Sequence, residues 1–213
     1  MPLTVEKQVR IEIEEVTLDG TLVLPEKAHG VVIFAHGSGS SRLSPRNTFV
    51  AGILQQAGFG TLLFDLLTRE EDYDYARRFD IDLLSRRLMG ATRWLMAQPE
   101  GNDKVLGYFG ASTGAAAALQ GAAELKGAIR AVVSRGGRPD MAMPYLPKVL
   151  APTLLIVGER DREVLKLNRE AYERLASVKE LSVVPGATHL FEEAGTLEQA
   201  ANLAKEWFLR HLT

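Results

Sequence analysis

The sequence predicts an α/β domain: a mostly parallel central sheet with helices on both faces, preceded by an antiparallel hairpin. Three observations carry the prediction. An opening stretch alternates apolar and charged residues, six later short runs are apolar without interruption, and stretches of helical period lie between those runs.

In the opening stretch Val9, Ile11, Ile13 and Val16 are separated by charged residues, the period of a half-buried strand. Asp19-Gly20 reads as the hairpin turn, Thr21 to Leu24 as the returning strand and Pro25 as its end. From Val31 the pattern changes to unbroken apolar runs at Val31–Ala35, Thr61–Phe64, Val105–Phe109, Ala131–Val133, Thr153–Val157 and Leu181–Val184. Strands covered on both faces have this composition. Helices are predicted between them, near Pro45–Ala57, Phe79–Gln98, Thr113–Leu125, Val164–Ala176 and Thr196–Leu209. In such a sheet, functional groups gather at the carboxyl ends of the strands. No insertion is long enough for a large lid, and no repeat or linker divides residues 1–213, so a single domain is expected.

Composition narrows the function. A chain that is 46% hydrophobic and 24% charged is ordinary for a globular domain. A net charge of −2, with Lys and Arg dispersed along the chain, argues against a nucleic-acid partner. The absence of cysteine removes disulfides, thiolate metal sites and cysteine nucleophiles together, and fits a cytoplasmic protein. The first ten residues hold Glu6, Lys7 and Arg10, unlike a signal peptide, and the most alanine-rich stretch, Ala111–Ala123, falls short of the ~20 apolar residues that span a bilayer. No metal or cofactor is implied. A small-molecule substrate is the expected partner, with the chain a monomer or small homo-oligomer.

Gly110-Ala111-Ser112-Thr113-Gly114 has the form G-x-S-x-G. The motif alone is weak, but here it directly follows an apolar run and opens a small-residue helix, the strand–turn–helix setting of a nucleophile elbow. Its competing interpretation is a glycine-rich turn with a helix-capping serine. A serine hydroxyl needs a base to take its proton, and the base needs a third group to fix its tautomer. His189, in the loop after the last predicted strand, is preferred as base over His211 near the end of the terminal helix. Asp161, after the run Thr153–Gly158, is preferred as the orienting acid over Asp140, and it is also placed to cap the following helix. The backbone N–H groups of Ser38 and Thr113 are the expected oxyanion donors. The loop His36-Gly37-Ser38-Gly39-Ser40-Ser41 is rich in glycine, but it has neither the G-K-[ST] ending of a phosphate loop nor dinucleotide spacing.

These elements, in this order, resemble the α/β-hydrolase superfamily, and within it the small dienelactone hydrolase-like proteins. The resemblance spans nearly the whole chain. Its most specific parts are Phe34–Gly39, Tyr108–Gly114, Leu155–Gly158 with Asp161, and Pro185–His189. It implies an α/β-hydrolase fold and a serine hydrolase that cleaves small carboxylic esters, lactones or thioesters through an acyl-enzyme. An acyltransferase, or a binding module without turnover, are the alternatives. Two departures stand out. Dienelactone hydrolases use a cysteine nucleophile, so their lactone substrate is not carried over, and Glu159-Arg160 stands where relatives have a glycine. His36, Arg42, Arg135 and Arg138 are candidate substrate-binding residues, with Arg46 beside them; the arginines suit an anionic substrate group.

Overall fold

A computed structural model describes residues 4–212. Among these residues eight strands form one sheet in the order β1-β2-β4-β3-β5-β6-β7-β8. β1 (Thr4–Ile13), β2 (Val16–Pro25) and β4 (Gly60–Phe64) pair antiparallel. The remaining pairings are parallel and run through β3 (Val31–Ala35), β5 (Leu106–Ala111), β6 (Ile129–Arg135), β7 (Thr153–Gly158) and β8 (Lys179–Val184).

The hairpin turn is not at Asp19-Gly20. Ile13 pairs with Val16, so the chain reverses at Glu14-Glu15, with Glu14 at φ 53°, and Asp19-Gly20 lies inside β2. Gly20 answers a crowding problem there. A Cβ on it would approach Val9 Cγ2 to 3.0 Å and Phe64 Cβ to 3.2 Å, since Gly20 pairs with Val9 on one side and Phe64 on the other. The glycine that reads as a turn residue permits close strand packing instead.

Among the described residues five helices cover the sheet. α1 (Pro45–Gln56) and α6 (Thr196–His211) bury Val50, Leu54, Ala204 and Phe208 in one apolar layer with Val32, Phe34 and Phe109. On the other face α3 (Ile81–Ala97), α4 (Thr113–Glu124) and α5 (Arg162–Arg174) pack over Val31, Ile33, Ala35 and Tyr108. Alternate residues of β3 therefore enter opposite cores, which is why its sequence is apolar throughout. The short helix α2 (Arg69–Asp72) is closed by a capping box: the Thr68 hydroxyl accepts from Glu71 N–H, and the Glu71 carboxylate accepts from Thr68 N–H. Among the described residues no helix is long and apolar enough to cross a membrane.

The chain leaves β3 for β4 on one side and returns to β5 on the other. Loops after adjacent strands thus diverge at the β3–β5 junction, opening a crevice at the carboxyl edge. Ser112 and the His36–Ser44 loop both emerge there.

Candidate active site

Ser112 sits at φ 53°, ψ −123°, between the last residue of β5 and the first of α4. Such a conformation costs a residue with a Cβ about 1–3 kcal/mol and persists only where its surroundings impose it. The flanking glycines show what imposes it. A Cβ on Gly110 would lie 2.4 Å from Ala115 Cα, and one on Gly114 would lie 2.1 Å from Ala35 O. A Cβ on Gly37 would come within 2.9 Å of Ser112 Cβ, so the loop after β3 is pressed against the elbow. The Ser112 side chain makes no helix-capping bond.

Asp161 occupies the N-cap position of α5 but does not cap it. Its Oδ2 lies 2.6 Å from His189 Nδ1 instead, with the carboxylate side chain 14% exposed and the imidazole 38%. Asp140, the rival acid, accepts from Nε and Nη2 of Arg138 at 2.9 and 2.8 Å, along one edge of the guanidinium. The His189 loop is braced by the residues that depart from the family pattern. Glu159 Oε2 accepts from Gly186 N–H at 2.8 Å, and Arg160 N–H donates to Ala187 O at 2.9 Å. Gly158 lets that loop lie on the end of β7, because a Cβ there would meet Ala187 O at 2.4 Å. Ser112 and His189 line one cleft of about 180 Å³, together with Gly37, Ser38, Arg46 and Arg135. No hydrogen bond links their side chains, a contact that in such sites often forms only when substrate is bound.

The expected oxyanion donors are adjacent, but one is occupied. Ser38 N–H donates to Thr113 Oγ1 at 2.9 Å, so the amide is aimed at the elbow while the Thr113 hydroxyl takes its hydrogen bond. His36 fixes the same peptide unit from the other side. Its Nδ1 lies 3.0 Å from Gly37 O, and its Nε2 accepts from Leu66 N–H at 3.0 Å. Both ring nitrogens of His36, expected to contact substrate, are therefore committed to the main chain. An imidazole that accepts at Nε2 must be neutral.

Burial holds the His36 pKa below its ordinary 6.5, against the opposing pull of its bond to Gly37 and the charges of Asp65 and Asp72. The unfolded chain then takes up this proton at a higher pH than the folded one. The stabilisation is complete above pH 6.5 and is lost as pH falls below it, by at most about 1.4 kcal/mol per pH unit. Thermal melts between pH 7.5 and 5.5 should show a falling Tm in the wild type and a shallower fall in His36→Gln. Some slope should remain, since burial also lowers the pKa of His211.

The arginine candidates separate cleanly. Arg42 is engaged by Asp65 through its guanidinium and its backbone N–H, and Arg138 by Asp140, so neither is a free anion ligand. Neither lines the cleft that holds Ser112. Arg135 does line it, and its guanidinium has no hydrogen-bond partner among the described residues. Arg46, from the first turn of α1, lines it as well.

The family model of the dienelactone hydrolase family matches residues 18–212. A dienelactone hydrolase from Anabaena variabilis is 54% identical, covers 99% of both chains and superposes with a TM-score of 0.95. This chain belongs to the dienelactone hydrolase family. The esterase Est1E from Butyrivibrio proteoclasticus shares the fold at a TM-score of 0.82 over 95% of this chain and 98% of its own, with 15% identity. A Mycobacterium tuberculosis (strain H37Rv) protein, provisionally named a phosphoribosyl transferase, is 56% identical over 207 residues. That match takes in 97% of this chain and 47% of the mycobacterial one, so the chain spans about half the length of the curated relatives it matches.

Proposed function

We propose that this chain is a serine hydrolase that cleaves small carboxylic esters, lactones or thioesters through an acyl-enzyme. The observation that carries the proposal is the 2.6 Å bond between Asp161 Oδ2 and His189 Nδ1 beside the cleft that Ser112 and His189 share. With Nδ1–H donated to Asp161, Nε2 is the basic nitrogen and faces the task of taking the Ser112 proton. Ser112 Oγ then bonds to the acyl carbon, and the alcohol departs with the proton held by His189. A water, deprotonated in turn by His189, releases the acid and restores the serine.

Charge developing on the acyl oxygen is met by the amides of Thr113 and Ser38. For Ser38 this requires the oxyanion to replace Thr113 Oγ1 as acceptor. The phosphoribosyl-transferase name of the mycobacterial relatives belongs to proteins about twice this length; for this chain the cleft chemistry favours acyl transfer to water.

A fluorophosphonate probe tests the reading directly, because only an activated serine attacks it at an appreciable rate. Labelling is expected at Ser112, located by peptide mass spectrometry, and absent from His189→Ala. Wild-type protein that stays unlabelled would return the chain to the class of binding modules.

A further inference from the structure

Arg135 is an unusual neighbour for a nucleophile. Only 7% of the residue is exposed, its Nε and Nη1 are buried without a hydrogen-bond partner, and no carboxylate among the described residues pairs with it. Its guanidinium lies over the face of Phe191, with the guanidinium carbon 5.6 Å from the ring centroid. A buried, unpaired cation is costly to hold, so a folded protein that keeps one has another use for it.

The surroundings are set up for an anion. Ser44, Arg46 and Asn47 line the same cleft and form the N-cap and first turn of α1, a twelve-residue helix with Pro45 at its first position. The amides of a first helical turn have no intrahelical acceptor, and the helix dipole places partial positive charge there. The Ser44 side chain makes no capping bond to those amides. The cleft lining holds two arginines and no carboxylate; Glu192 reaches Arg46 only from the exposed side, at 3.6 Å.

We propose that this end of the cleft is a phosphate subsite, and that the substrates are esters whose acyl or alcohol part carries a phosphate monoester. The proposal rests on the hydrolase reading and names its substrate class. The phosphate is a handle: the bond broken is the carboxylic ester, and no phosphorus–oxygen bond changes. Charge decides between phosphate and carboxylate. A carboxylate needs one guanidinium, whereas a monoester of charge about −1.5 to −2 at neutral pH matches two arginines and a helix end. Burial, with the charge of Arg46 added, brings the Arg135 pKa down to about 10, as expected of a cation waiting for a counter-ion.

Inorganic phosphate is the probe, with sodium chloride at matched ionic strength and acetate as controls. Phosphate is expected to raise the Tm of Ser112→Ala protein more than either control does. It should also compete with p-nitrophenyl acetate in the wild type. Arg135→Met should weaken phosphate binding at least about tenfold, while the ligand-free variant melts at or above the wild-type temperature because an unpaired buried charge is gone. Arg46→Met, on the exposed side, gives the same weakening if Arg135→Met does not fold. With a phosphorylated and a neutral ester of the same acid, the ratio of kcat/KM values should fall by a similar factor in either variant. Phosphate no more effective than chloride, acetate as effective as phosphate, or full phosphate affinity in both arginine variants would each overturn the subsite. The melts with Ser112→Ala need no turnover, so they separate failure of the subsite from failure of the hydrolase reading, which the fluorophosphonate result decides.

Discussion

Ser112→Ala is expected to lower kcat on p-nitrophenyl acetate by on the order of 10⁴- to 10⁶-fold, with the fold intact. The change removes one oxygen that makes no hydrogen bond to any described residue and keeps the Cβ, so neither packing nor elbow geometry is disturbed. Asp161→Asn should follow at roughly 10⁴-fold, the size of effect a wrongly oriented imidazole has in a well-characterised Ser-His-Asp enzyme. Ser112→Gly separates catalysis from strain. It loses the same hydroxyl but relieves a positive φ, and it should melt higher than Ser112→Ala by a margin worth about 1 kcal/mol. Measured esterase rates within tenfold of wild type in Ser112→Ala would move the nucleophile elsewhere.

The residues that bear on this chemistry were legible to different degrees. Ser112 was readable because an elbow needs glycine on both sides of a strand–helix junction, and composition around residues 105–125 states each of those needs locally. The choice of Asp161 over Asp140 rested on its place after a strand and turn and before a helix, facing the His189 loop, and what the fold adds is that Arg138, two residues away, occupies Asp140. The fate of the arginines was not readable. Asp65, which engages Arg42, reaches it from the end of β4, twenty-three residues on. Arg135 is distinguished only by what three-dimensional packing fails to supply it. The Asp19-Gly20 turn went wrong for a related reason: local chemistry favoured reversal there, whereas ten consecutive cross-strand pairs between β1 and β2 place it at Glu14-Glu15.

Gly114→Ala is the substitution expected to harm the fold most. Its new Cβ would lie 2.1 Å from Ala35 O, 2.5 Å from His36 O and 2.6 Å from Ala35 C, all backbone atoms of β3 and the loop that follows it. Backbone at the end of a central strand has no rotamer with which to give way, so α4 must lift off the sheet or the end of β3 must shift. Either response opens the buried layer where Ala116 and Ala117 meet Ile33 and Ala35, and a loss of more than about 4 kcal/mol follows from overpacking of this kind. Urea unfolding should show a midpoint far below wild type, or no soluble protein. Two other glycines calibrate the result. Gly186→Ala meets no atom within 4 Å but sits at φ 71°, so it should lose only about 1–2 kcal/mol. Gly127→Ala has open space and no positive φ, and is expected to be neutral or to gain up to about 1 kcal/mol. If Gly114→Ala instead melted like Gly186→Ala, the elbow would have room to relax. The tight approach of β3 to α4 would then not be what holds Ser112 in its strained conformation.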